Sequence, residues 1–167
     1  MITRILQESD ARVYHQLRLA GLQSDPEAFG ATYERESTFA LEAIVERIRP
    51  TEGKFAIGAF SESGLLIGIV TFVRDGGLKT SHKGNLYGMY VSREFRGQGA
   101  GKQLMLEVIR LARQCEGLEQ LNLTVVSTNE SAKRLYASLG FETYGVERRA
   151  LKHKGKYYDE DLMVLSL

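Results

Sequence analysis

The glycine-rich run Arg96-Gly97-Gln98-Gly99-Ala100-Gly101 constrains the fold of this chain more than any other segment. It follows an apolar, β-prone run at residues 85–91 and opens an amphipathic helical pattern. Glycines let a backbone approach a ligand closely, and the free N–H groups and dipole of a helix start attract anions. Arg96 adds a full positive charge. The run therefore predicts a strand, a turn and a helix that together cradle a pyrophosphate group.

Two common nucleotide-binding motifs do not match this run. A Walker A loop needs glycine at position 96 and serine or threonine after Gly101-Lys102, but the chain has Arg96 and Gln103 there. A dinucleotide fingerprint needs its third glycine where the chain has Lys102. The sequence excludes both motifs and leaves a different kind of pyrophosphate site.

A second pattern follows downstream: Asn129-Glu130-Ser131-Ala132-Lys133-Arg134-Leu135-Tyr136-Ala137-Ser138-Leu139-Gly140-Phe141. The glycine-rich run resembles the Arg/Gln-x-x-Gly-x-Gly/Ala signature of the GCN5-related N-acetyltransferases (GNAT), whose loop holds the pyrophosphate of coenzyme A. The downstream pattern resembles the same family's Asn-x-x-Ala-x-x-x-Tyr-x-x-x-Gly-Phe segment, at the family's order and separation. Together they cover about residues 83–145, and the pair is far more specific than either half.

The resemblance implies an α/β (mixed α+β) fold of the GNAT acyltransferase type, with a central mixed, mostly antiparallel sheet flanked by helices. A single domain would span residues 1–167. The implied order is one strand, two helices, three strands, then helix, strand, helix and two strands. The resemblance also implies that the strands on either side of the glycine-loop helix splay apart. Residue pattern alone favours only a mixed α/β domain.

The first helix is predicted from its pattern. Ser9 is the expected N-cap, and Asp25-Pro26 is the expected end of the helix. Val13, Leu17 and Ala20 fall on one side at helical spacing, so they are the expected buried face.

Acetyl-CoA is the co-substrate that the resemblance implies. Backbone groups of Met89, Tyr90 and Val91 would pair with its pantetheine arm, and one N–H of this stretch would polarise the thioester carbonyl. Asn129 would hold the pantetheine amide, because a side-chain amide both donates and accepts. The residues expected to bind the co-substrate are Met89, Tyr90, Val91, Arg96, Gly97, Gln98, Gly99, Ala100, Gly101, Lys102 and Asn129.

Tyr136 matches the family's general acid, whose hydroxyl would protonate the leaving sulfur. It lies seven positions after Asn129, about two helical turns further along one face. The alternative is structural: Tyr136 completes an apolar stripe with Leu135 and Leu139, and Asn129 only caps a helix. The glycine-rich run favours the functional interpretation.

The identity of the general base stays open. Some family members carry a glutamate on the strand after the glycine-loop helix, but residues 121–126 contain no carboxylate, and Thr124 occupies the matching position. The candidates are a water relayed by the backbone with Tyr90 or Thr124, and a more distant carboxylate such as Glu34 or Asp159. An acceptor amine of low pKa would need no base.

The acceptor site of the family is drawn from two segments, which correspond here to residues 24–36 and 150–159. Aromatic and acidic residues in both suit a cationic amine. The candidate acceptor-binding residues are Phe29, Tyr33, Glu34, Tyr158 and Asp159. The alternative is that Tyr157-Tyr158-Asp159 only sets the register of the terminal strands.

Composition excludes several classes of function. A net charge of +1 without a basic run argues against nucleic-acid or membrane-surface binding. The amino terminus lacks a signal-peptide apolar region, and no apolar run approaches a membrane span, so a cytoplasmic location is expected. Cys115, the sole cysteine, cannot form an internal disulfide. The histidines lack metal-ligand spacing, so no metal is expected.

These observations predict an N-acetyltransferase that transfers the acetyl group of acetyl-CoA to a primary amine of a small molecule. The expected mechanism is direct attack in a ternary complex, by a monomer or homodimer. Cys115 is a poor candidate for a covalent intermediate, because it lies far from the glycine-rich run with no histidine near it in sequence. The alternatives are a protein amino-terminal or lysine acetyltransferase and a non-catalytic acyl-CoA-binding sensor.

Overall fold

A seven-stranded sheet forms the frame of the molecule. The computed structural model describes residues 1–167. The strands are β1 (Ile2–Ile5), β2 (Lys54–Phe60), β3 (Leu66–Arg74), β4 (Lys83–Val91), β5 (Gln120–Val126), β6 (Glu142–His153) and β7 (Lys156–Ser166). They lie in the order β1-β2-β3-β4-β5-β7-β6, and only the β4–β5 pair is parallel. The expected mixed, mostly antiparallel sheet is confirmed.

Helices cover both faces of this sheet. They are α1 (Ala11–Ser24), α2 (Tyr33–Glu36), α3 (Leu41–Ile48), α4 (Ala100–Ala112) and α5 (Glu130–Ser138). Three 3₁₀ turns, Glu8–Asp10, Pro26–Ala28 and Arg93–Phe95, lie between the elements. No helix is both long enough and apolar enough to cross a membrane.

Two apolar cores lie on opposite faces of the central strands. The larger packs α4 and α5 against the sheet, and the smaller packs α1 and α3 against the other face. Because both faces are covered, β2 and β3 are almost continuously buried rather than alternating between core and solvent. This rigid centre positions β4, which lies next to β3 in the sheet.

β4 and β5 part after a short stretch of pairing. Residues 83–85 pair with residues 120–122, and no pairing continues beyond them. Within β4, Gly88 and Met89 together oppose Val70, a β-bulge that bends the strand, and Gly88 has φ +60°. The splay that the resemblance implied is thus present, and it opens a gap in the middle of the sheet.

The predicted buried face of α1 is wrong for two of its three residues, because only Leu17 packs against the smaller core. Val13 is 43% exposed and Ala20 is exposed, whereas Tyr14 and Gly21 are buried. A Cβ at Gly21 would lie 3.0–3.1 Å from two aromatic rings, so glycine lets the helix approach them closely. Arg18 also points inward on this side. Because this inward face carries the charged Arg18, apolar periodicity alone did not identify it as the buried face.

The predicted cap of α1 is also wrong. Ser9 lies within the 3₁₀ turn Glu8–Asp10, and α1 begins at Ala11, directly after Asp10. The Asp10 carboxylate accepts from the backbone N–H of Gln7 at 2.8 Å, so this turn supplies its own capping bond. The predicted end of the helix at Asp25-Pro26 is confirmed.

Candidate active site

The gap between β4 and β5 opens into a cavity of about 860 Å³. The glycine-rich run and the start of α4 form one end of it. Strand residues of β4 and β5 and one side of α5 line it as well, and so do Arg18 of α1, Asp25 and residues 27–31, which follow this helix. Cavities that lie between splayed elements and combine apolar walls with a few polar groups are typical ligand-binding sites.

The backbone at the start of α4 presents unpaired donors. The N–H groups of residues 97–102 donate to no other protein group. Gly97 and Gly99 have φ +75° and +87°, and no heavy atom lies within 4 Å of where a Cβ would stand on either. The positive end of the α4 dipole lies at the same place. Free donors, open space and a helix start together fit a pyrophosphate group.

Two residues of the glycine-rich run have a different local role. A Cβ at Gly101 would lie 3.2 Å from Met89 and 3.3 Å from Leu135, so this glycine lets α4 pack closely against β4 and α5. Gln98 does not line the cavity, and its side chain donates to the Glu94 carbonyl at 3.3 Å. Gln98 is the one predicted residue of this stretch that does not line the cavity; Gly101 and the others do.

Arg96 does not stand free beside the glycine loop. Its Nη2 donates to the Asp25 carboxylate at 3.0 Å and its Nε to the Val91 carbonyl at 3.0 Å. The guanidinium also lies over the Tyr90 ring, 5.5 Å from its centre. Arg93 reaches the same carboxylate at 3.2 Å. These contacts fasten the end of α1 to the glycine loop and share the charge of Arg96 with an acid.

Lys102 is the cation that remains open at the loop. It is exposed, lines the cavity and forms no ion pair. It lies in the first turn of α4, next to the free N–H groups. Its ammonium is therefore available to an anion there, unlike the guanidinium of Arg96.

Asp25 is also the end of a hydrogen-bonded chain. The Tyr90 hydroxyl lies 3.1 Å from Ser24 Oγ, which donates to Asp25 at 2.6 Å. Burial raises the pKa of Asp25, but the bonds from Ser24, Arg96 and Arg93 outweigh it and hold the pKa at about 2. A carboxylate with so low a pKa is a weak base near neutral pH. A proton relay through Tyr90 would end on a poor acceptor, so Asp25 fixes the loop instead.

Replacing Asp25 with asparagine should destabilise the chain in a pH-dependent way. Its pKa of about 2 in the fold lies below the ordinary 3.8, so its contribution is complete above about pH 4 and is lost as pH falls towards 2. The free energy of unfolding should fall by at most about 2 kcal/mol at pH 7, and the loss should shrink by about 1 kcal/mol at pH 3. Urea unfolding at both pH values measures this.

The matched control for that prediction is Glu62→Gln, which removes an exposed carboxylate that forms no ion pair. It should change stability little at either pH. An equal loss for the Asp25 variant at pH 7 and pH 3 would show that the ion pairs do not stabilise the fold.

Tyr136 is packed and also faces the cavity. It is 6% exposed, its ring lies 6.0 Å from that of Phe141, and it lines the cavity wall. Its hydroxyl has no hydrogen-bond partner in the protein. Burial raises the pKa of Tyr136 to about 12, so the hydroxyl keeps its proton through neutral pH. Packing and proton donation are therefore compatible at this residue.

Asn129 caps α5, as the structural interpretation expects. Its Oδ1 accepts from the Ala132 N–H at 3.2 Å. The side-chain nitrogen makes no protein hydrogen bond, and Asn129 lines the cavity. The amide can thus cap the helix and still donate to a ligand.

The end of β4 offers backbone groups to the cavity. Met89, Tyr90 and Val91 all line it. They lie past the point where β5 leaves β4, so the β5-facing edge of this stretch has no strand partner. Unpaired backbone groups at such an edge can pair with an extended ligand.

The predicted acceptor residues are only partly brought together. Phe29 lines the cavity, but Tyr33, Glu34, Tyr158 and Asp159 do not. Glu34 is exposed on α2, and the Asp159 carboxylate accepts from the Arg149 N–H at 2.8 Å. Thr124 and Tyr90, the two relay candidates, do line the cavity. The carboxylates that line it are Asp25, Glu27 and Glu160.

Glu160 is the site residue that sequence reasoning missed. It is next to the candidate Asp159 but points to the other face of β7, because successive strand residues alternate. Residues 162–165 are all apolar, so the sequence holds no alternation from which to choose the face. Glu160 pairs in register with Val126 of β5, beside the gap.

Comparisons with known proteins agree with this geometry. The sequence model of the acetyltransferase (GNAT) family matches residues 19–141. The uncharacterized SPbeta prophage-derived N-acetyltransferase YokL of Bacillus subtilis is 30% identical over 129 residues, which are 76% of this chain and 69% of YokL.

Solved structures share the fold along its whole length. A GNAT-family acetyltransferase from Streptococcus pneumoniae superposes with a TM-score of 0.88 at 24% identity, over 99% of both chains. The yncA protein of Salmonella typhimurium, solved with its cofactor acetyl-CoA, superposes with a TM-score of 0.79 at 21% identity. That match covers 100% of this chain and 94% of yncA. The chain belongs to the GNAT family of acetyl-CoA-dependent N-acetyltransferases.

Proposed function

We propose that the chain transfers the acetyl group of acetyl-CoA to the primary amine of a small molecule by direct attack, with both substrates bound together. The continuity of the cavity carries this proposal. One end holds the free N–H groups of residues 97–102, and the carboxylates of Glu27 and Glu160 also line the cavity. The N–H groups suit an anion and the carboxylates a cationic amine, so one cavity can hold both reactants.

The size of the acceptor follows from the segment after α1. The 3₁₀ turn Pro26–Ala28 lies against β5 and β6, so it spans the gap on the acceptor side. A small molecule fits beneath such a segment more readily than a folded protein. This supports a small amine over a protein amino terminus or lysine.

The chain's own groups can hold acetyl-CoA along the cavity. We assign the pyrophosphate to residues 97–102, the pantetheine arm to the open edge of residues 89–91, and its amide to Asn129. When bound, acetyl-CoA supplies an acetyl thioester. The acceptor ammonium first gives a proton to water. The neutral amine then bonds to the thioester carbonyl carbon, the carbon–sulfur bond breaks with its electron pair leaving on sulfur, and the nitrogen gives its second proton to water. A backbone N–H at the β4 bulge is a fixed donor for the carbonyl oxygen, so it stabilises negative charge without reorganisation.

Tyr136 is the group that we assign to the departing sulfur. Its hydroxyl is free of protein partners and stays protonated at neutral pH, because its pKa is about 12. It can donate a hydrogen bond as negative charge develops on the sulfur. This role needs the hydroxyl and not the ring.

Glu160 is the carboxylate that we assign to the acceptor ammonium. It lines the cavity and forms no ion pair, whereas Asp25 is held by Arg93 and Arg96. Glu147 of β6 is the register partner of Glu160, but it is exposed and does not line the cavity, so Glu160 is the carboxylate of this pair that reaches the site. A carboxylate on a strand also has a more fixed position than one on a loop.

Direct attack is supported by the state of Cys115. Its thiol lies outside the cavity wall and donates to the Leu111 carbonyl at 3.6 Å. Burial raises the pKa of Cys115, so the reactive thiolate is scarce at neutral pH. The thiol therefore packs in the fold and does not carry the acetyl group.

Initial rates should separate direct attack from a covalent intermediate. Varying acetyl-CoA at several fixed amine concentrations should give intersecting double-reciprocal lines, because both substrates must be bound before transfer. Parallel lines would contradict direct attack. Cys115→Ala should keep the intersecting pattern and most of the turnover.

The proposed function is tested by thiol release from acetyl-CoA with a panel of acceptors. The panel holds amino acids and other small primary amines, polyamines, and short peptides with free amino termini or lysines, and mass spectrometry identifies the acetylated product. We expect turnover with small amines. Turnover with peptides alone would favour a protein acetyltransferase. Binding of acetyl-CoA without turnover on any acceptor would favour a sensor, and either result would overturn the proposal.

A further inference from the structure

Arg18 is a nearly buried cation in the cavity wall that the reaction does not yet use. Its side chain is 13% exposed, and it reaches the cavity from the inward face of α1. Its guanidinium lies 5.6 Å from the centre of the Phe29 ring, on the acceptor side. Burying a charged guanidinium costs free energy, so a nearly buried arginine usually has partners that stabilise its charge.

Half of the guanidinium is already occupied. Nε and Nη2 of Arg18 donate to the two carboxylate oxygens of Glu36 at 2.8 and 2.9 Å. This uses one of the pairs of parallel N–H donors, or forks, of the guanidinium. No protein group accepts a hydrogen bond from Nη1, and the Tyr14 side chain is the other polar group beside the guanidinium. Nη1 and the second hydrogen of Nη2 form the other fork, whose geometry matches a carboxylate.

The buried cluster around Arg18 has an excess positive charge. Glu36 is 1% exposed and bonds both Arg18 and Arg47, so one carboxylate serves two cations. Burial lowers the pKa of Arg18, but the hydrogen bond to Glu36 and the neighbouring Tyr14 outweigh this effect. The pKa therefore lies above its ordinary value, and the guanidinium stays charged. The cluster thus holds one more cation than carboxylates, and of the two arginines only Arg18 lines the cavity.

The free fork points towards the β4 bulge. A Cβ at Gly88 would lie 2.7 Å from Arg18 Nη1, so only glycine leaves room for the guanidinium there. Gly88 lines the same cavity, next to the residues assigned to the pantetheine arm. The unused donors therefore lie beside the open edge of residues 89–91, at the wall of the same cavity.

We propose that Arg18 binds a carboxylate of the acceptor, so that the acceptor is an amino acid or a small molecule of the same kind. This inference rests on the proposed function and narrows its substrate class. Glu160 takes the ammonium, Arg18 takes the carboxylate, and Phe29 contacts the apolar part. The cavity thus offers one group of each sign to a molecule with both charges.

Other amine classes fit this wall less well. A polyamine would place a second cation near Arg18, which costs binding energy through like charges. The amino terminus of a peptide has an amide where an amino acid has its carboxylate. Neither a polyamine nor a peptide amino terminus offers a carboxylate to the free fork. Arg18 therefore favours amino acids over both of these classes.

The test compares each of several amino acids with its carboxamide and with the amine that lacks the carboxyl group. Thiol release from acetyl-CoA gives kcat/KM for each member of a set. A charge-assisted fork should favour the amino acid by about ten- to a hundredfold. The difference should appear mainly in KM, because the carboxylate takes no part in the bonds that form and break.

Arg18→Gln should bring the ratio of amino acid to carboxamide close to one. Arg47→Gln is the matched control, since it also removes one of the two ion pairs of Glu36 but does not line the cavity. It should keep the parent ratio. Using a ratio removes any general loss of activity, and circular dichroism checks the fold. Arg18→Lys keeps a charge beside Glu36 without the fork, so it replaces the glutamine variant if that one fails to fold.

The outcomes separate this inference from the function on which it rests. Turnover of amines with no preference for a carboxylate in the parent protein would overturn the inference and leave the acetyltransferase intact. A folded Arg18 variant that keeps the preference would overturn it as well. No turnover with any amine would overturn the proposed function itself.

Discussion

Replacing Gly99 with valine is expected to weaken coenzyme A binding by about 10²- to 10³-fold while the chain stays folded. A Cβ here meets no protein atom within 4 Å, so the valine would stand in open space at the cavity's phosphate end. It would keep the pyrophosphate from the N–H groups of residues 97–102. Calorimetric titration with coenzyme A measures the loss, and unchanged affinity would contradict the assignment of the loop.

The control must separate this block from backbone strain, because Gly99 has φ +87°. Gly64→Val supplies the match: Gly64 has φ +83°, also has nothing within 4 Å of its Cβ position, and lies on the β2–β3 turn outside the cavity. Both variants should lose on the order of 1–2 kcal/mol of stability. Only the Gly99 variant should lose coenzyme A binding.

Gly101 should behave in another way. Its valine variant would press on Met89 and Leu135, which a Cβ already approaches to 3.2–3.3 Å. That change should lower the melting temperature through overpacking as well as disturb binding. The two glycines look alike in the sequence, and only their surroundings separate a ligand role from a packing role.

Tyr136→Phe is expected to lower kcat by about 10²-fold with little change in coenzyme A affinity. The ring keeps its packing against Phe141, while the sulfur loses its hydrogen-bond donor. This loss of kcat lies at the low end of the range expected when a general acid is removed. The Tyr136 pKa of about 12 exceeds the ordinary thiol pKa of about 8.5, so full proton transfer to a thiolate is uphill.

The pH profile of turnover tests the state of that hydroxyl. A group with pKa of about 12 stays protonated in the working range, so the ratio of parent to Phe variant should be nearly constant from pH 6 to 10. Tyr144→Phe is the matched control, because Tyr144 is 59% exposed and lies outside the cavity. Equal kcat for parent and Tyr136→Phe across the profile would leave Tyr136 as a packing residue only.

The cofactor half of the site was largely accessible from the sequence. Its parts are local: a glycine-rich turn followed by a helix start, and a helix with Asn129 and Tyr136 two turns apart. Local spacing fixes local geometry, so Gly97, Gly99 and Tyr136 all reach the cavity as expected. The sheet type and the splay of β4 from β5 came with the family resemblance.

The acceptor half was less accessible, because it depends on which face of an element points inward. Glu160 and Asp159 are neighbours in sequence, yet only Glu160 lines the cavity. Arg18 sits on the face of α1 that apolar periodicity assigned to solvent. Both lie outside residues 19–141, the stretch that the family model matches. Family resemblance therefore says little about the acceptor.

The partners of Arg96 were also hidden in the sequence. Its bond to Asp25 joins residues 71 positions apart, and no local pattern signals such a pair. The same holds for Glu36, which lies in the predicted acceptor segment 24–36 but is buried and paired with Arg18 and Arg47. Charges that pair over long separations can be located only once the chain has folded.

A structure of the chain in complex with coenzyme A tests the central claim most directly. The account predicts a pyrophosphate bonded to the N–H groups of residues 97–102, a pantetheine arm along residues 89–91, and the sulfur within hydrogen-bond reach of the Tyr136 hydroxyl. A pyrophosphate bound away from the start of α4, or a sulfur far from Tyr136, would contradict it.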